Sequence, residues 1–214
     1  MEHCQPHIAI SKEQLAELPP VEYPGGIESV TVVDTPEKAR AALRDLNQYT
    51  HIGFDTETRP SFKKGQTNKV ALLQLSTGEH CYLFRLNRPG IFDLVKPLLE
   101  NPDIIKIGLS VHDDYNVLRR RADLEPAGFL DLQDYCRTFH IDDISLQKIF
   151  AIIFGQRMSK TQRLTNWEAE TLNESQQIYA AIDAWACLKL YRFIREGRFN
   201  PYDSPYLLSP NPAD

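Results

Sequence analysis

Apolar and polar positions follow a strand period early in the chain, with helical stretches interleaved, and a helix period that dominates later. "SVTVV" (29–33) alternates as a strand. "DTPEKARAALRDLNQY" then starts a helix, with Thr35 a candidate N-cap and Pro36 at the first helical position, where a missing N–H is no loss. "HIGFDTE" (51–57) is the next strand; Ile52 and Phe54 share one face, Asp55 and Glu57 the other. After a basic loop come "KVALLQLS", a Thr77–Gly78 turn and "CYLFRL", the pattern of a hairpin. "IFDLVKPLLE" predicts a helix and "IIKIG" a short strand. From Asp113 on, "DYNVLRRR", "DLQDYCRTF", "SLQKIFAIIF" and "NESQQIYAAIDAWACLKLYRFIREG" read as helices, the last closed by Gly197. The order predicts an α/β fold, a mixed β-sheet flanked by helices on both faces. Residues 1–28, with Pro6, Pro19, Pro20, Pro24 and Gly25–Gly26, predict an extended lead-in over the domain. Residues 29–198 form the folded domain, and the proline-rich 199–214 an irregular tail.

Composition adds limits. With 214 residues, 42% hydrophobic and 25% charged, the chain suits one globular domain with tails. Its apolar runs fall far short of the roughly 18 residues of a membrane span, which predicts no membrane partner. The N-terminus lacks a basic stretch leading into an apolar one, the pattern of a secretory signal. Cys4, Cys81, Cys136 and Cys187 are scattered with no CxxC pair, the usage of reduced cysteines in a cytoplasmic protein. His3, Cys4 and His7 read as part of a polar terminus rather than a metal site. A net charge of −5 announces no nucleic-acid binder. The cations do cluster: Lys63, Lys64 and Lys69; Arg119, Arg120 and Arg121; Arg157, Lys160 and Arg163.

Three acidic sites carry the candidate chemistry. Asp55 and Glu57 end a strand, two positions apart on one face, with Cα atoms roughly 6.5 Å apart. In "KIGLSVHDDYNVLRR" a strand breaks into a helix with Asp113 and Asp114 in its first turn, where the helix dipole and free amides favour carboxylates. In "YAAID", Tyr179 and Asp183 stand at i and i+4 on one face of the long helix. Singly, the first two sites are accounted for by a solvated strand end and a helix cap. An aspartate on the apolar face of a helix is harder to dismiss, because a buried carboxylate needs a partner or a metal. Carboxylates converging on one spot raise each other's pKa unless divalent ions neutralise them. Hard oxygen ligands suit two divalent cations, Mg²⁺ or Mn²⁺, about 4 Å apart, which activate water and stabilise the leaving oxygen of a phosphodiester. Tyr179 is placed to orient that water; a phenol of pKa near 10 is a weak base by itself.

"DTE", "GLSVHDDYNVL" and "YAAIDAWA" resemble the three motifs of the DEDD exonuclease superfamily, in the subclass with a tyrosine in the third. "NKVALLQLSTGEHCYLFRL" and "LTNWEAETLNESQQIYAAIDAWACLKLY" are similar to the Werner-type exonuclease domain and its bacterial and plant relatives, with ribonuclease D a more distant cousin. The resemblance spans roughly residues 30–196. It implies a ribonuclease H-like fold and two-metal 3′→5′ hydrolysis of nucleic acid to 5′-mononucleotides, DNA favoured. It implies Asp55, Glu57, Asp114 and Asp183 as metal ligands and Tyr179 as the fifth catalytic residue. Asp114 is chosen over Asp113 because it lies six residues after Gly108 and because Asp113 reads as the N-cap. Asn116, where the Werner-type domain carries tryptophan, and His112–Asp113, in place of Glu-Gly, depart from the pattern. Lys69, Arg157, Lys160 and Arg163 are candidate phosphate contacts. Arg59 begins the loop toward the substrate, and Trp167 reads as a packing anchor rather than a base-stacking platform. Trimming of RNA 3′ ends, or a non-catalytic nucleic-acid-binding module, are the alternatives. The second is disfavoured because all five motif residues are present.

Overall fold

The computed structural model describes residues 7–61, 68–119 and 123–208. The elements run β1 (His7–Ile8), α1 (Lys12–Glu17), β2 (Val30–Val33), α2 (Pro36–Leu46), β3 (His51–Thr58), β4 (Val70–Ser76), β5 (Cys81–Arg85), α3 (Ile91–Leu99), β6 (Ile105–Gly108), α4 (Val111–Arg119), β7 (Phe129–Asp131), α5 (Leu132–Arg137), α6 (Leu146–Phe154), α7 (Glu174–Arg195) and β8 (Leu207–Leu208). Thr35 caps α2 by accepting the Lys38 N–H, and Asn173 with Gln176 forms a capping box at the start of α7. Past the end of α7, Gly197 takes a left-handed φ of 69°, a conformation only glycine adopts without cost. No helix among the described residues is long and apolar enough to cross a membrane. The three described cysteines, Cys81, Cys136 and Cys187, are free and buried.

Six strands form a mixed sheet in the order β2-β5-β4-β3-β6-β7. β3 pairs antiparallel with β4 and parallel with β6, and β4 pairs antiparallel with β5 as the predicted hairpin. Because side chains alternate along a strand, the sheet has two differently packed faces. On one, Ile52 and Phe54 of β3 and Leu73 and Leu75 of β4 meet α2, α3 and α4. On the other, Leu72 and Leu83 meet α5, α6 and the long α7. Helices on both faces of a mixed sheet are what the hydrophobic pattern predicts.

Three features depart from that pattern. The lead-in contains α1, capped by Ser11, and its Ile8 and Ile10 are buried in the α7-side core. β1 pairs with β8 of the C-terminal segment, which also holds a single 3₁₀ turn. The run "FLD" forms β7, an edge strand pairing with β6 through Lys106, Ile107 and Gly108. Its Asp131 also caps α5, so the predicted helix from Asp131 begins one residue later.

Candidate active site

The C-terminal end of β3 and the middle of α7 build the site, and one glycine sets the distance between them. Gly53 lies two residues before Asp55, on the same face. A Cβ at Gly53 would stand 1.9 Å from the Ala184 carbonyl oxygen of α7. The strand and helix backbones therefore approach as closely as only glycine allows. Asp183 adjoins Ala184, so this contact carries its carboxylate over Asp55 and Glu57. One oxygen from each of the three acids lies within 4.8 Å of the others. Pairing between β3 and β4 slips between Glu57 and Thr58, leaving Leu72 opposite Glu57 and Val70 opposite Thr58. Bulges of this kind re-aim side chains at strand ends.

Asp114 enters from α4 and stands apart from those three. Its Oδ1 accepts a 2.5 Å hydrogen bond from the Thr56 hydroxyl, which ties it to the same strand end. Asp113 is not the N-cap: α4 starts two residues earlier, and the Asp131 carboxylate caps it by accepting the Ser110 and Val111 N–H groups at 3.0 and 3.1 Å. Asp113 is set aside by helix phase, exposed while its neighbour turns inward.

The charges of this cluster are unbalanced. Burial, then the Asp183 charge, pushes the Asp55 carboxyl far above the ordinary range. Glu57 is raised by burial and then by Asp55, Asp183 and Asp114, with Arg163 pulling the other way. Asp114 is pushed up to about 8 by burial and the Asp55 charge, and Asp183 to about 7 by burial, against a lowering from the Tyr179 hydroxyl. Three carboxylates this close hold protons or cations; hard divalent ions fit a set made entirely of oxygens.

A cavity of about 470 Å³ opens over the cluster, lined by Asp55, Glu57, Tyr179 and Asp183 and rimmed by Lys160 and Arg163. The other two candidate contacts lie elsewhere. Arg157 faces the N-terminal segment: its Nε donates to the Leu18 carbonyl and its N–H to that of Pro19, both at 2.9 Å, and its carbonyl accepts from Val21. Lys69 lines a separate recess with Arg88 and Asp93. Lys63, Lys64, Arg120, Arg121, His3 and Cys4 lie outside the described residues, whereas His7 pairs with Asp142 at 3.0 Å. Arg59 pairs with Glu168 at 3.3 Å. Trp167 is fully buried with its ring centroid 6.1 Å from that of Tyr179, a packing anchor behind the tyrosine. His112 packs against Tyr115, and Asn116 is exposed. Gly53 and Thr56 are site residues that motif reading missed. A glycine inside a half-buried strand is the signal that finds the first.

Residues 30–197 match the sequence profile of the 3′-5′ exonuclease family. The chain belongs to that family. It is 32% identical over 182 residues to the mouse bifunctional 3′-5′ exonuclease/ATP-dependent helicase WRN, an alignment covering 82% of this chain and 13% of the mouse protein. To an Arabidopsis thaliana 3′-5′ exonuclease it is 28% identical over 72% of this chain and 55% of the other. It thus spans little more than half of one relative's length and a small fraction of the other's. The fold superposes on the exonuclease domain of Aedes aegypti Nibbler with a TM-score of 0.70 at 22% identity, covering 82% of this chain and 93% of that one. Escherichia coli RNase D follows at 0.69 and 22%, covering 78% and 44%. These likenesses, at 22% identity, show the fold, the ribonuclease H-like one that the resemblance implied.

Proposed function

We propose that this chain is a metal-dependent 3′→5′ exonuclease of the tyrosine-bearing DEDD subclass, releasing 5′-mononucleotides from the 3′ end of nucleic acid. The observation that carries the reading is the meeting of Asp55, Glu57 and Asp183 within 4.8 Å in a cavity rimmed by cations. Asp55, Glu57, Asp114 and Asp183 would hold two divalent cations, Mg²⁺ or Mn²⁺. When bound, such ions neutralise the carboxylates, lower the pKa of a water and stabilise charge on the phosphate oxygens. Lys160 and Arg163 hold the strand's phosphates at the cavity rim. Without metal, burial and the Asp183 charge raise the Tyr179 phenol above its ordinary value. Tyr179 serves at least to orient the attacked phosphate or the water. Trp167 behind its ring restricts where the hydroxyl can point.

DNA is the favoured substrate, supported by the 32% identity to the exonuclease–helicase. Trimming of RNA is the second reading, supported by relatives named ribonuclease D at 24% and 30% identity. The test uses 5′-labelled recessed duplex, single-stranded DNA and RNA with Mg²⁺, Mn²⁺ or EDTA. Stepwise shortening from the 3′ end, lost in EDTA and in Asp55→Ala, is expected. Equal degradation by wild type and Asp55→Ala, or none with either metal, overturns the proposal.

A further inference from the structure

We propose that Gln74 is a positioning residue for Asp55, its side-chain amide, unpaired among the described residues, donating to the Asp55 carboxylate when the metal ions bind and holding it in its metal-binding orientation; this rests on the two-metal reading above. Gln74 sits on β4, whose seven residues are all buried, and has no exposed surface. Neither Nε2 nor Oε1 has a hydrogen-bond partner among the described residues. A buried amide with both ends unpaired is costly, and an apolar side chain of the same shape would serve packing better. Where such a group persists, it points to a task outside stability.

Its position in the sheet says which task. Gln74 is the direct cross-strand partner of Asp55 on one side and of Leu83 on the other. Paired residues share a face with Cβ atoms about 5 Å apart, so the Gln74 amide and the Asp55 carboxylate are within reach of each other. This is the face closed by α7, because a Cβ at Gly53, two residues along β3, would point into Ala184. Around Gln74 that face carries Leu72 and Leu83 in the core, the buried Ser76 hydroxyl, which is already paired with the His80 carbonyl and the Gly78 N–H, and Cys81 and Cys187, whose thiols burial and then the Asp55 charge push upward. Asp55 is therefore the charged acceptor beside this amide. A carboxylate that gives one oxygen to a metal needs its other oxygen held, and donors in that role typically affect metal affinity 10–100-fold.

The test compares wild type with Gln74→Met, which keeps length and removes the amide. In EDTA, the melting temperature of Gln74→Met should equal or exceed that of wild type. Calorimetric titration with Mn²⁺ should show affinity weakened about 10-fold, and kcat should fall while KM for the nucleic acid stays unchanged. A lower melting temperature with unchanged Mn²⁺ affinity assigns Gln74 to structure and overturns the inference, as does no change in either. A wild type that neither binds Mn²⁺ nor shortens nucleic acid instead refutes the two-metal reading itself. An independent measurement needs no variant: in ¹⁵N-labelled wild type, the Gln74 side-chain N–H resonances should shift and gain exchange protection as Mg²⁺ is added. Resonances indifferent to Mg²⁺ overturn the proposal.

Discussion

Gly53→Ala tests whether the contact between β3 and α7 sets the geometry of the carboxylate cluster. The added methyl would lie 1.9 Å from the Ala184 carbonyl oxygen, 2.8 Å from its carbon and 3.2 Å from the Leu188 Cβ. The first two are backbone atoms with no rotamer to yield, so the strand and helix must part by about 1.5 Å to reach ordinary contact. Overpacking that forces backbone shifts costs about 1–3 kcal/mol, and a rigid obstacle belongs at the upper end. At 2–4 °C per kcal/mol for a chain of this size, the melting temperature should fall by about 6–12 °C. The same displacement carries Asp183 away from Asp55 and Glu57. Misplacement of a catalytic group by about 1 Å costs on the order of 100-fold in rate. The assay is thermal unfolding beside single-turnover shortening of a labelled strand, at a temperature where both proteins are folded. A melting temperature within about 1 °C of wild type together with undiminished rate would refute the claim that Gly53 fixes the site.

Three further outcomes follow from the cluster and its rim. In EDTA, the protein should be less stable at pH 8 than at pH 5. Asp183 and Asp114, raised to about 7 and about 8, keep protons in the folded state that the unfolded chain releases near pH 4, so stability falls through that window. Mg²⁺ should narrow the gap, and melting curves that rise with pH in EDTA would contradict the sign. Lys160→Ala and Arg163→Ala should each lower the slope of log affinity against log salt for single strands by about 0.7, whereas Arg157→Ala should leave the slope unchanged and loosen the N-terminal segment, read by limited proteolysis. Asp114→Asn should abolish activity and Asp113→Asn should leave it within about twofold, measured as 3′ shortening with Mn²⁺; equal effects would mean that α4 is turned differently.

Elements with many periods were legible from sequence; elements held by distant partners were not. α2, α6 and α7 announce themselves by caps and repeated apolar faces, and β3, β4 and β5 by alternation around a turn. β7 has three residues, too few for a period, and owes its existence to pairing with β6. β1 and β8 have two residues each and lie at opposite ends of the chain. α4 starts at Val111, before Asp113, because its cap is the Asp131 side chain, twenty residues on, which local rules do not see. Adjacency in sequence groups Arg157 with Lys160 and Arg163, yet its guanidinium is committed to the Leu18 carbonyl. Sequence gives the charges near a loop; only the fold gives their direction.

The same distinction separates the acidic motifs, visible in sequence, from their geometry, which is not. Three short motifs name the acids, but what makes them a site is two backbone placements: the phase of α4, which turns Asp114 to Thr56 and Asp113 to solvent, and the contact of Gly53 with Ala184. The start of α4 rests on the Asp131 cap, whereas the glycine contact does not depend on charge. The packed sheet and helices therefore hold the carboxylates together against their repulsion, and the raised pKa values of Asp55, Glu57, Asp114 and Asp183 record what that costs. A scaffold held by side-chain charge would relax when the acids repel; one held by a glycine contact does not. In the proposed two-metal reading, divalent ions meet ligands already gathered, and little of their binding energy is diverted to assembling the site.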